Sequence, residues 1–375
     1  MFEVEREERG EAGKRVGIAV IVVMLGVVVW GLVTGLIPLE EYIGGAAELV
    51  PDPFETEAGS RLETGRFVPI AADRHAIYAD ALIGAIDTGN PSIVAGHFSW
   101  RQALAHALDG LDFHPEELDG LVGVFMELVV TQGFAKQLAD IRKKGGVVSF
   151  VGTREADGRT WTVLRIWRRP GVIDHLEVLV CDSDSGLRGW DMRIVRRGEL
   201  VQESVRMLVL PKTLQAEHGT LTGRDAVLFE HAETLATLLQ EAAQGGAEHL
   251  GPLESIPEAV LADWPGIARL RVMAAADVGP DRTRDAAAWY AELHGEDPAV
   301  AWRLFESLRD AGRTDEALAA LDDLQRVAAP DPYFGVLRAL TLQGVGRSEE
   351  ARVAVKTAVD AEPELAKLPE VAGLL

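Results

Sequence analysis

An α+β region followed by an all-α region, both carried behind a single transmembrane helix, is the fold class that the sequence predicts. Three observations predict it: an uncharged apolar run near the N-terminus, a change from helical to strand patterning at Gly145-Gly146, and a short motif that recurs after a fixed interval. The chain has 375 residues, and single cores stop growing near about 250–300 residues, so several compact parts are expected.

The apolar run is Val16 to Ile37, VGIAVIVVMLGVVVWGLVTGLI, with no charged residue in it. About 20 such residues span the hydrocarbon layer as a helix, and in lipid every backbone group must be bonded internally, so a helix is expected despite the many β-branched residues. A cleaved secretory signal is the rival, but its apolar region runs about 7–15 residues, and only Ala46 and Ala47 offer small residues for cleavage. Arg6, Arg9, Lys14 and Arg15 precede the run, and the next basic residue after it is Arg61. That asymmetry predicts a single-pass protein with a cytoplasmic N-terminus and its C-terminal domains on the periplasmic or extracellular side. Gly31 and Gly35 form a small-xxx-small pair, read either as the seam of a homodimer or as the ordinary glycine content of a membrane helix. The acidic stretch 38–72, with Pro51, Pro53 and Gly59, reads as a tether.

The α+β part is placed at 73–212. His75 to Asp87 carries Ile77, Ala81, Leu82, Ala85 and Ile86 at helical spacing, and Thr88-Gly89-Asn90-Pro91 stops it. Short helices over Pro91–His97 and Trp100–Leu108 precede one long helix from Pro115 to Arg142, which has proline and carboxylates in its first turn and basic residues at its end. Beyond Gly145-Gly146, strands are predicted at Val147–Thr153, Thr160–Trp167, Val172–Cys181, Leu187–Val195 and Leu200–Leu210. The links between them are too short for crossovers, so the sheet should be an antiparallel meander with the long helix across one face. This order of helices and then strands resembles the nuclear-transport-factor-2-like (NTF2-like) superfamily, which implies a curved sheet wrapping helices into a cone.

A helical connector, 213–253, leads to the repeat region, 254–375. There Gly312-Arg313-Thr314-Asp315-Glu316-Ala317 recurs as Gly346-Arg347-Ser348-Glu349-Glu350-Ala351, a displacement of 346 − 312 = 34 residues, and Asp331-Pro332 follows Asp297-Pro298 at the same interval. Each unit should run a helix from Asp-Pro, turn at the glycine, and start a second helix capped by Thr314 or Ser348. These positions resemble tetratricopeptide (TPR) repeats. Gly312, Ala317, Gly346 and Ala351 stand at repeat-packing positions, and Ala339 and Pro363 match further positions, whereas Leu321 and Val355 replace the usual aromatic and Arg338 the usual leucine. An earlier unit, phased on Asp263, needs a one-residue slip at Val278-Gly279-Pro280. The resemblance implies stacked helix pairs whose first helices line a groove for a protein partner.

A formal charge of −22 excludes a nucleic-acid surface built on phosphate neutralisation. The single cysteine, Cys181, excludes an internal disulfide, and no spacing of nucleophile and base, metal ligands or phosphate loop emerges, so neither an enzyme nor a cofactor is expected. Asp182-Ser183-Asp184-Ser185-Gly186 reads as a hairpin turn in preference to a calcium loop. Arg165, His175 and Glu177 share one face of adjacent strands and are the candidate ligand-pocket residues, the alternative being a cross-strand ion pair on a solvated face. The function expected is a membrane-tethered scaffold binding a protein partner through its repeats. The second expectation is an extracytoplasmic small-molecule binding or sensing module using the α+β cone.

Overall fold

The computed structural model describes residues 70–107, 115–131, 133–156, 158–168, 172–183, 186–196, 250–262 and 264–375. Helix α1 (Ala72–Asp87) buries His75, Tyr78, Ala79, Leu82, Ala85 and Ile86. The buried stripe is rotated from the expected one, leaving Ile77 exposed, because the Nδ1 atom of His75 meets the hydroxyl of Thr162 at 2.7 Å on the sheet and Tyr78 fills the core. Asn90 accepts from the Ser92 amide and caps α2 (Pro91–Ala95), and α3 (Trp100–Ala107) follows.

The long helix expected from Pro115 to Arg142 is two helices, α4 (Pro115–Thr131) and α5 (Phe134–Lys143). Gly133 adopts an extended backbone at the start of α5, which sets Phe134, Ala135, Leu138, Ala139 and Ile141 into the core. At its far end the Gly145 amide returns to the Arg142 carbonyl and the Gly146 amide to the Ile141 carbonyl. This is the two-bond glycine stop of a helix, with Gly145 at φ 75°. A side chain at Gly146 would strike the Trp167 carbonyl at 2.6 Å, so the second glycine serves the close approach of helix and sheet.

Strands β1 (Val147–Ala156), β2 (Arg159–Arg168), β3 (Val172–Ser183) and β4 (Gly186–Ile194) form an antiparallel sheet in the order β1-β2-β3-β4. Leu164 pairs with Leu176 and faces the helices, in one core with Ile166, Val178, Leu82 and Phe134. Arg165 pairs with His175 on the opposite face. At the hairpin joining β3 and β4, the Ser183 hydroxyl donates to the Gly186 carbonyl at 2.7 Å. The expected strand Leu200–Leu210 lies outside the described residues, as does most of the connector.

After α6 (Leu250–Glu254) and α7 (Glu258–Leu261) come three helix pairs: α8 (Pro265–Val278) with α9 (Pro280–His294), α10 (Pro298–Asp310) with α11 (Thr314–Val327), and α12 (Tyr333–Gly344) with α13 (Ser348–Ala361). A 3₁₀ turn at Pro363–Lys367 and α14 (Pro369–Ala372) close the chain. Gly312 and Gly346, at φ 72° and 79°, end α10 and α12 with the same two-bond stop as Gly145. Thr314 and Ser348 are not caps: they open their helices, and the preceding Arg313 and Arg347 occupy the cap position without a side-chain cap bond. Those arginines join neighbouring units instead. Arg313 donates to Asp281 at 2.5 Å and Arg347 to Asp315 at 2.7 Å, two bonds related by the same 34-residue step, while each also grips the glutamate three residues ahead. Leu321 and Val355 are wholly buried in the place of aromatics, and Arg338 pairs with Asp322. Ala317 and Ala351 are buried as well. Ala351→Trp is therefore expected to overpack the α12–α13 crossing at a cost of about 1–3 kcal/mol, read as a lower melting temperature.

The membrane assignment is corrected. Among the described residues no helix is long and apolar enough to cross a membrane. The longest, α4, has 17 residues, about 26 Å of helix against about 30 Å of hydrocarbon. The leader 1–15, the run Val16–Ile37 and the Gly31/Gly35 pair lie outside the described residues. A single-pass topology with domains outside the cytoplasm is therefore not carried into the functional reading.

Candidate binding site between the sheet and the repeats

The strand face that carries Arg165, His175 and Glu177 is covered by the repeats, and its charges meet carboxylates at the starts of repeat helices. Asp331 and Asp297, the aspartates that mark the repeat phase, stand at the N-termini of α12 and α10, where Asp331 accepts from the Tyr333 amide at 2.8 Å and Asp297 from the Ala299 amide at 2.7 Å. Asp297 uses Oδ1 for this bond and Oδ2 for its arginines, whereas Oδ1 of Asp331 also accepts from Arg165. Both also reach toward the sheet.

At Asp331, the Nη1 of Arg165 donates at 2.6 Å and the Nε2 of His175 lies at 2.6 Å from the other carboxylate oxygen. Arg165 also forks onto Glu362. Burial works to raise the Asp331 pKa, but the contacts with His175 and Arg165 outweigh it and hold the carboxyl below its usual range. An ionised carboxylate only accepts, so the imidazole carries its proton on Nε2. The ring stacks on Phe334 with centroids 5.6 Å apart and meets the edge of Trp302. Trp167 seals the margin by donating to Glu370 at 3.1 Å.

Glu177 belongs to a second cluster. It accepts from Nε and Nη2 of Arg154 at 2.6 and 2.8 Å and from Nε of Arg193 at 2.7 Å. Arg193 continues to Asp297 at 3.2 Å, and Arg269 on α8 reaches the same oxygen at 3.0 Å. Burial raises the pKa of Glu177 and of Asp297, yet Arg193, with Arg154 at the first and Arg269 at the second, overcomes it and leaves both low. The structure thus brings Arg165 and His175 together on one repeat carboxylate and places Glu177 between two other arginines.

Beside this second cluster lies a cleft of about 750 Å³ between the β1–β2 end of the sheet and the first two helix pairs. Arg154, Trp161, Arg193, Arg269, Tyr290 and Asp297 are among the residues that line it. The guanidinium of Arg193 sits over the Trp161 ring, 5.6 Å from its centroid. Arg165, His175 and Glu177 are not among the cleft's lining residues. Sequence reasoning marked Asp297 and Asp331 only as signs of the period. A capping aspartate before proline was the available signal for their place, and no local pattern announced Arg154, Arg193 or Arg269. No protein-family model, curated protein or solved structure matches the chain.

Proposed function

We propose that this chain is a non-catalytic interaction module that receives a segment of a protein partner in the cleft between its sheet and its repeats. The observation that carries the reading is the position of that cleft. The first-helix side of the repeats, the side expected to hold a partner, is occupied in its middle and C-terminal units by the chain's own sheet through Asp331, Phe334 and Trp302. Beyond the end of β1 and β2 the array opens, beside α8 and α9, into a volume suited to a ligand. The 34-residue period supports a partner-binding role through its resemblance to tetratricopeptide repeats.

A random peptide library displayed on phage and selected on the full chain tests the proposal. Ala328 lines the cleft on an extended backbone at the end of α11, partly buried against the core of Trp302, Phe305 and Phe334, so a larger side chain there narrows the cleft and its fold is checked beside its binding. Peptides enriched on the chain should bind Ala328→Trp at least tenfold more weakly, at a temperature where its circular dichroism shows the variant fully folded. Enrichment no greater than on an unrelated acidic protein, or equal binding to Ala328→Trp, overturns the reading.

A further inference from the structure

Among the described residues β1 is an outer strand of the sheet, and the ladder fixes which of its main-chain groups face outward. The Val195 amide donates to the His175 carbonyl, so His175 turns its main-chain groups toward β4 and away from β2. Bonding alternates along an antiparallel pair, and the register between β2 and β3 runs without a shift. Leu176 and Val178 therefore bond to Leu164 and Thr162, which leaves Trp161 and Arg159 to bond to Arg154 and Ala156 of β1. The main-chain N–H and C=O groups of Thr153 and Glu155 then point out of the sheet. No hydrogen bond to them is found among the described residues.

This edge is unshielded, and it faces the cleft. Exposed edges are commonly blunted by lysine or proline, and β1 has neither. Its charged side chains turn inward instead: Arg154 forks onto Glu177 two strands away, and the Glu155 carboxylate accepts from the Thr160 hydroxyl of β2. The bulge between Phe150 and Gly152 bounds the open stretch at its other end. Thr153, Arg154, Glu155 and Ala156 all line the cleft. Side chains alternate between the two faces of a sheet, so a cavity over one face would meet every second residue. Four in succession set this cavity along the strand's edge. On the repeat side of the cleft, Ala328 is extended as well, at φ −86° and ψ 175°.

We propose that the partner segment binds as an added β-strand on the outer edge of β1, its main chain paired with Thr153 and Glu155. The inference rests on the partner reading given above and states how the segment is held. Outward groups two residues apart repeat at about 6.8 Å, with a donor and an acceptor at each position, and the main chain of another extended segment matches that spacing. Affinity then comes from backbone bonds, while alternate side chains of the segment turn into the cleft over Arg154 and Trp161.

The test uses the full chain and a peptide recovered from the displayed library. Replacing each amide of the peptide in turn by an ester removes one N–H with little change of shape. Binding should fall about fivefold or more at alternate positions and stay nearly unchanged at those between. In the free chain the amides of Thr153 and Glu155 should exchange with solvent at least tenfold faster than that of Arg154, and saturating peptide should slow both at least tenfold. Slow exchange at Thr153 and Glu155 in the free chain would mean that the chain itself already covers this edge, and it overturns the inference whatever the library yields. Ester effects without alternation, or no slowing of the two amides on binding, overturn it as well, while a peptide that still loses affinity to Ala328→Trp keeps the partner reading. A library that yields no peptide removes the partner reading and the added strand with it.

Discussion

Asp331→Ala is expected to destabilise the chain by about 3–5 kcal/mol, the cost of stranding a buried charge by removing its partner. The substitution leaves Arg165 with Glu362 alone, His175 without an acceptor, and the Tyr333 amide uncapped. Urea unfolding of the full chain measures it, and Asp331→Asn, which can still cap α12, should lose less. Acid should reproduce the effect reversibly. The folded pKa values of Asp331, Asp297 and Glu177 are all depressed. Groups of this kind contribute their full stability above the unfolded-chain value, near about 4, and lose it as the pH falls through the folded value. The unfolding midpoint of the native chain should therefore fall with pH below about 4, and less steeply in Asp331→Asn, which has one fewer such group.

Glu177→Ala should be comparably severe, at about 3–5 kcal/mol, because it removes the one acceptor shared by Arg154 and Arg193 inside the covered sheet face. Glu177→Gln should fall between, since the amide oxygen still accepts one bond but no longer offsets charge. The double variant Glu177→Ala, Arg193→Met should recover part of the loss, because removing a stranded guanidinium relieves the cost of burying it. Strictly additive effects on the unfolding free energy would mean that the two side chains do not act as a pair.

The meander was legible because its signals are local. Val, Ile and Leu alternate along β2 and β3, and the links between strands are too short for any crossover, so β3 was expected at Val172–Cys181 and runs Val172–Ser183. The division of the long helix was not legible. Apolar spacing resumes at Phe134 as though unbroken, and a single glycine inside a helical pattern is ordinarily tolerated, so nothing local announces the extended backbone at Gly133. The site failed for another reason. Period-2 spacing correctly put Arg165, His175 and Glu177 on one face, but their surroundings depend on a carboxylate 166 residues further along the chain from Arg165. Pairing over that distance leaves no periodic trace. The period did locate Asp331, and only the fold shows that a residue marking the start of a repeat also receives the sheet.

That separation sets an order of events. A ribosome adding about 5–20 residues per second makes Asp331 roughly 8–33 seconds after Arg165, given the 166 residues between them. Glu362, the second acceptor of Arg165, comes 197 residues after it. The sheet can close its apolar side on α1–α5 while the other side still holds Arg165 and His175 in water, so the two faces of one sheet are completed at different times during synthesis. Chains stopped before Glu362 and Glu370 lack the second acceptor of Arg165 and the bond from Trp167 to Glu370, although Asp331 is already in place. Leu365 and Val371, buried in one core with Trp167 and Ile173 of the sheet, arrive later still, so the second face gains its apolar cover as well as its charge partners from residues made long after the strands.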